Sequence, residues 1–334
     1  MNTKRIISLV ASLALVLSLS VGLTGCGDKA AQDDNQGSTD GEGTKYTVGI
    51  CQLVQHEALD AATQGFIDAL NEALPGQVEF QNKNASGDNA NCSTIVNGFV
   101  SDGVDLIMAN ATGALTAAAA ATSDIPILGT SITAYGVALD IDDFNGTVGG
   151  NISGTSDLAD LEAQANMITE WFPETKKVGL LFCSAEPNSR YQIDEVRKAL
   201  EAQGVTCEEF AFTDSNDVSS VAQKAADFSD VVYIPTDNTA ASNTEAIANV
   251  LIPAGVPAIC GEEGLCRGCG VATLSISYYD LGVTTGKMAA KILKGEADIS
   301  TMPVEYTDAT PKYNASICDQ LGITPLDGYE AIDG

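Results

Sequence analysis

The chain has 334 residues, 45% of them hydrophobic and 18% charged, and carries 45 acidic against 16 basic residues for a net charge of −29. That is more chain than one ordinary core needs. So acidic a balance excludes nucleic acid as a partner, because phosphate contacts require clustered Lys and Arg.

The first element in chain order is "MNTKRIISLVASLALVLSLSVGLTGCG". Lys4 and Arg5 precede an uncharged, mostly apolar stretch over residues 6–24, a charged n-region followed by an h-region. The "LTGC" ending at Cys26 resembles the lipobox of bacterial lipoproteins, which implies cleavage before Cys26 and a lipid on its thiol. The alternative is a single membrane anchor, since the stretch is almost long enough to span a bilayer. Residues 1–25 are therefore expected to be a signal peptide, and the folded part to lie outside the cytoplasm at the cell membrane. Residues 26–44 contain no large apolar side chain after the cysteine, so they bury too little to offset their ordering entropy and read as a flexible acidic tether. Losing Lys4 and Arg5 leaves 14 basic residues, so the mature charge is 14 − 45 = −31.

From residue 45 onwards strands and helices alternate. "KYTVGICQL", "GQVEFQNK", "VDLIMAN" and "IPILGTS" read as strands. Helices separate them. In the first, Leu59, Ala62, Phe66, Ala69, Leu70 and Ala73 form one apolar stripe; in the second, Ile95, Val96, Phe99 and Val100 face inward. Four β-α repeats imply a parallel sheet covered on both faces. The alternation restarts after "ISGTSD", residues 152–157, which reads as a boundary between two modules. "KKVGLLFCS", "VTCEEFAF", "DVVYIPT", "VPAIC" and "GVATLSIS" are the later strands; "AASNTEAIANVLIPAG" reads as one helix and "YYDLGVTTGKMAAKILKG" as a long last one. The fold class is α/β, with two doubly wound parallel-sheet lobes.

In open parallel sheets, ligands bind beyond the carboxyl ends of the strands. Those tips carry Gln55 and His56, Asn110 and Thr112, and Thr130, Ser131 and Thr133 in the first module. In the second they carry Ser184, Glu186, Asn188 and Ser189, then Thr236, Asp237 and Asn238, then Glu262 and Glu263. Loops are polar in general, so one polar tip says little; matching polar edges on two modules point to a cleft between them, a preferred place for small ligands.

Nine cysteines are present. Cys51, Cys183 and Cys260 end apolar strands, where Cys behaves as a small hydrophobe. Cys266 and Cys269, in "CRGC", are spaced for a local disulfide, half a metal site, or neither. No second pair has metal-like spacing and His56 is the single histidine, so no metal and no cofactor is expected. Catalysis has no visible machinery either: there is no GxSxG elbow, Walker loop or HExxH, and "GVTTGKM" has the wrong spacing for a phosphate loop.

The stretches "QHEALDAATQGFIDAL", "FVSDGVDLIMANAT", "DIPILGTSIT", "YIPTDNTAAS", "GEEG", "YYDLGVTTGKMAAKILKGE" and "MPVEY" together make the chain similar to the bacterial ABC-transporter substrate-binding lipoproteins related to the tryptophan/tyrosine-binding group. The likeness runs over roughly residues 46–306, with Cys266 and Cys269 standing where the family has ordinary loop residues. It implies the type I periplasmic-binding-protein fold, with a hinge and crossovers between lobes near residues 155, 276 and 308. The lobes would then be 45–154 plus 278–306, and 155–277 plus 307–334. It also implies a monomeric, lipid-anchored, non-enzymatic receptor that closes on a small ligand and hands it to a membrane permease. An aromatic amino acid is the expected ligand; a nucleoside, a sugar, or service to a sensor are the alternatives.

A zwitterionic amino acid needs two fixed points. Its carboxylate suits hydroxyls and backbone N–H groups, for which Thr112, Thr130 and Ser131 are candidates. Its ammonium needs an acid, because a buried unpaired cation is costly. Asp237 is the first choice, with Glu262 and Glu186 behind it, although Asp237 also suits the cap of the following helix. Tyr135, Tyr191, Tyr278 and Tyr279 are candidates for an aromatic wall.

Overall fold

The computed structural model describes residues 45–332. The expected signal peptide, the lipidation candidate Cys26 and the expected tether lie outside them. Among the described residues no helix is long and apolar enough to cross a membrane.

The first half runs β1 (Tyr46–Gln52), α1 (Glu57–Ala73), β2 (Val78–Asn84), α2 (Asn89–Asp102), β3 (Leu106–Asn110), α3 (Thr112–Ala121), β4 (Ile127–Ile132), α4 (Tyr135–Ala138) and β5 (Ile152–Ser156). The second runs α5 (Leu161–Trp171), β6 (Lys177–Cys183), α6 (Pro187–Ala202), β7 (Thr206–Phe212), α7 (Val218–Phe228), β8 (Val231–Ile234), α8 (Asn238–Ala241), α9 (Thr244–Ala254), β9 (Ala258–Cys260), α10 (Glu263–Cys269) and β10 (Ala272–Ser275). The chain then returns through α11 (Tyr278–Leu293), β11 (Glu305–Tyr306), β12 (Thr310–Tyr313), α12 (Ala315–Leu321) and β13 (Glu330–Ala331).

One sheet has the order β2-β1-β3-β4-β5-β11, with every pairing parallel. The other has the order β7-β6-β8-β9-β10-β12-β13, parallel except where β12 meets β10. Two parallel-sheet α/β lobes result. The strands read as continuous apolar runs because both faces are covered. In β3, Leu106 and Met108 join the cluster under α1 and α11, while Ile107 and Ala109 join the cluster under α2 and α3. This is the two-residue period of a pleat. Each such fully buried Leu, Ile or Met contributes about 2 kcal/mol.

The structure corrects three sequence readings. Residues 152–156, assigned to no element in the sequence reading, are the buried strand β5. Its hydroxyls are satisfied internally: Thr155 Oγ1 lies 2.8 Å from Thr285 Oγ1 and 3.2 Å from Thr130 Oγ1, and Ser153 Oγ donates to the Met302 carbonyl. The single helix expected over residues 240–255 is broken into α8 and α9, where the Asn243 side chain donates to the Thr239 carbonyl. The loop carrying Cys266 and Cys269 is the helix α10, started by Glu262, whose side chain accepts from the N–H groups of Gly264 and Leu265. All eight described cysteines are free thiols, and no group of His, Cys, Asp and Glu suited to a metal occurs among the described residues.

"GVTTGKM" also acquires a role. A Cβ on Gly282 would stand 2.0 Å from the Ala62 carbonyl oxygen, and one on Gly65 2.1 Å from that of Tyr279. The glycines let α11 lie backbone to backbone on α1, which fastens the returning chain to the first lobe.

Candidate functional site

The carboxyl ends of both sheets converge on a small polar cavity, which in this conformation is nearly closed. It is lined by His56 and Leu59 at the start of α1, Ser131 and Thr133 at the end of β4, Asp157 after β5 and Tyr278 at the start of α11. Opposite them stand Asn188 on α6, Thr236 and Asp237 after β8, Asn238 and Ala241 on α8, and Glu262 after β9. Larger grooves exist on the outer surface, one along α5 and α6 and one beside α4, but no converging buried polar side chains line them.

On the second-lobe side every acid is tied down. Asp237, 1% exposed, accepts from the Cys183 N–H and the Ser189 hydroxyl through Oδ2, both at 2.7 Å, and from the Ala240 N–H through Oδ1 at 2.8 Å. The last bond caps α8, as Asp at this position does. Glu186 accepts from the N–H and side-chain amide of Asn238 and from the N–H and hydroxyl of Thr239, all within 3.0 Å. Asn188 donates to Glu186 and to the Thr236 carbonyl, and Gln192 bridges the Asn188 and Thr236 backbones. Burial, then the neighbouring Glu186 charge, push the Asp237 carboxyl up to about 8; burial pushes Glu262 up to about 7.

The first-lobe side differs. His56 Nε2 lies 3.3 Å from Asn238 Oδ1, a link between the lobes, and burial holds the imidazole below its ordinary value. Register shifts between β4 and β5 within Gly129–Ile132, and Ser131 has φ 56°, a left-handed conformation rare for serine. Bulges of this kind re-aim side chains beside sites. Ser131 Oγ is buried with no hydrogen-bond partner. Asp157 is 5% exposed; its Oδ2 accepts from the Tyr278 hydroxyl at 2.9 Å, and its Oδ1 has no partner. Burial raises its carboxyl above the ordinary range.

Of the residues expected from sequence, His56, Ser131, Thr133, Asn188, Thr236, Asp237, Asn238, Glu262 and Tyr278 reach this cavity. Glu186 and Ser189 stand behind it, holding Asn238, Thr239 and Asp237. The others do not arrive. Gln55 and Ser184 are exposed, and Ser184 Oγ bonds the Phe212 carbonyl. Asn110 donates to the Leu59 carbonyl and the Thr63 hydroxyl, pinning α1 to the sheet. Thr130 is part of the buried hydroxyl cluster against α11. Thr112 lines a separate groove with Leu53 and Asn89. Strand tips point to either face of a sheet, so polarity at a tip does not select the cavity face. Asp157, just after β5, was missed as a site residue because residues 152–157 read as a boundary between modules.

A family model for ABC transporter substrate binding proteins matches residues 47–328. The chain belongs to that family. It is thus a solute-binding, non-enzymatic component of ABC transport, a class that works outside the cytoplasm. The chain is 33% identical over 321 residues to a tyrosine-binding protein of Clostridioides difficile strain R20291, covering 92% of this chain and 89% of the relative. It matches the structure of an ABC domain in complex with L-Trp from Streptococcus pneumonia with a TM-score of 0.82 at 30% identity, over 86% of this chain and all of the other. A ligand-free, open substrate-binding protein with adhesive properties from Clostridium difficile matches with a TM-score of 0.66 at 32% identity, over 86% and 99%. At equal coverage and similar identity, the described conformation superposes better on the L-Trp complex than on the open form. The type I periplasmic-binding-protein-like architecture expected from sequence is what these matches share.

Proposed function

We propose that the protein is the lipid-anchored receptor of an ABC importer, capturing an aromatic amino acid in the cavity between its lobes. The observation that carries this reading is the lining itself: three buried acids and several oriented hydroxyls and amides converge from both lobes on one point between them. Asp157, Asp237 and Glu262 face a single basic lining residue, His56, and Asp157 alone among the three acids keeps an oxygen that no protein donor fills, which suits a ligand with a cationic group. The relatives that bind tyrosine and L-Trp agree with it. Tyr278, Leu59 and Ala241 supply the apolar wall, with Asp237 ordering the second-lobe side. The three segments that pass between the sheets, residues 157–160, 276–277 and 307–309, serve as the hinge, and Cys26 carries the lipid.

The test is a thermal-shift screen of the full chain in detergent against amino acids, nucleosides and sugars. A ligand that binds only the folded state raises the melting temperature, by an amount set by its concentration relative to Kd. Stabilisation by L-tryptophan or L-tyrosine is expected. Stabilisation by sugars alone would reject the proposal.

A further inference from the structure

The cavity is not uniformly satisfied. Among the residues that line it, only two leave a buried polar side-chain atom without a hydrogen bond, Asp157 Oδ1 and Ser131 Oγ. They are neighbours, because the Asp157 N–H bonds the carbonyl of Ile132, the residue after Ser131. One is a carboxylate acceptor and the other a hydroxyl able to donate. A buried polar atom left unpaired costs free energy comparable to a lost hydrogen bond, so two of them side by side in a cavity mark where a ligand completes the bonding.

We infer that Asp157 holds the ligand's ammonium through Oδ1 and that Ser131 donates to its carboxylate, so the amino-acid head group is read from the first lobe and the first crossover rather than by Asp237. This assignment rests on the amino-acid reading above. The chemistry is complementary: an α-amino acid places its cation and anion on adjacent atoms, as the site places its acceptor and donor on adjacent strands. Asp237, by contrast, already accepts from three neighbours and holds α8. Asp157 lies just after β5, and its other oxygen is held by Tyr278, just after the second crossover. The ammonium would therefore bind where two of the inter-lobe connections meet.

The test is a pair of thermodynamic cycles by titration calorimetry on the full chain in detergent. One combines Asp157→Asn with removal of the ligand's amine, L-tryptophan against indole-3-propionate. The other combines Ser131→Ala with removal of its carboxylate, L-tryptophan against tryptamine. Asp157→Asn keeps the shape and an acceptor for Tyr278. It is expected to weaken L-tryptophan about 100-fold and to leave indole-3-propionate unchanged or tighter. Ser131→Ala is expected to weaken L-tryptophan about 10-fold and to leave tryptamine unchanged. Equal losses for the ligand with and without the amine, or an Asp237→Asn variant that alone abolishes the preference for the amine, would overturn the assignment. If the wild type refuses aromatic amino acids but another L-amino acid passes both cycles, the aromatic reading fails and the assignment stands. If no amino acid binds, both fall.

Discussion

The two sides of the cavity are built differently, although both are acidic. On the second-lobe side, Asp237, Glu262 and Glu186 are saturated by protein donors, and Asp237 and Glu262 serve as helix caps. On the first-lobe side, Asp157 and Ser131 keep polar atoms in reserve. Acids of the first kind hold the fold in the shape the ligand requires. Those of the second kind are completed by the ligand. Burial alone does not separate the two, since all are nearly inaccessible; the hydrogen-bond inventory does.

The largest way to break this contrast is Asp237→Ala. It strands the Cys183 N–H, the Ser189 hydroxyl and the Ala240 N–H, and it is expected to cost about 3 kcal/mol in urea denaturation without ligand. Asp157→Asn measured the same way is expected to cost nothing, because no protein donor loses its partner. Similar losses in the two variants would erase the distinction. Glu262→Ala, which removes two N–H partners from the first turn of α10, is expected to cost about 1–2 kcal/mol.

Proton linkage sharpens the contrast further. Asp237 at about 8 and Glu262 at about 7 hold protons more tightly in the native state than when unfolded. Where the native state binds more protons, stability falls as pH rises. The ligand-free melting temperature should therefore drop between pH 6.5 and 8. His56, kept neutral by burial, works in the opposite sense only below about 6.5. A flat profile in that window would mean that these acids are already ionised. The smallest effect is expected at the exposed inter-lobe pair of Glu57 and Arg267, 3.0 Å apart. Glu57→Gln should change ligand affinity by less than about threefold, in keeping with the modest worth of exposed pairs.

Periodicity made most of the architecture legible. The apolar runs of β1, β3, β6 and β8 and the helical stripe of α1 were readable because their burial pattern repeats in the sequence. β5 was not, because its Ser, Gly and Thr composition matches a turn; only hydroxyls contributed by β4 and α11, more than a hundred residues away for Thr285, make burial of those side chains affordable. α10 was hidden for a similar reason, being seven residues of which only Leu265 is a large apolar one, with a start that depends on a single cap.

By itself, then, the sequence determined the α/β alternation, the two-module plan and the acidity of the strand tips, because these follow from local periodicity and composition. Tertiary structure decided which tips share a face, which acids find donors and which do not. "YIPTDNTAAS" announces an acid at a strand end, but whether that acid caps a helix or meets a ligand depends on Cys183 and Ser189, roughly fifty residues upstream. Asp157 carries no local signal, and its free oxygen exists only because folding brings it beside Ser131 and Tyr278 and supplies a donor for one oxygen and none for the other.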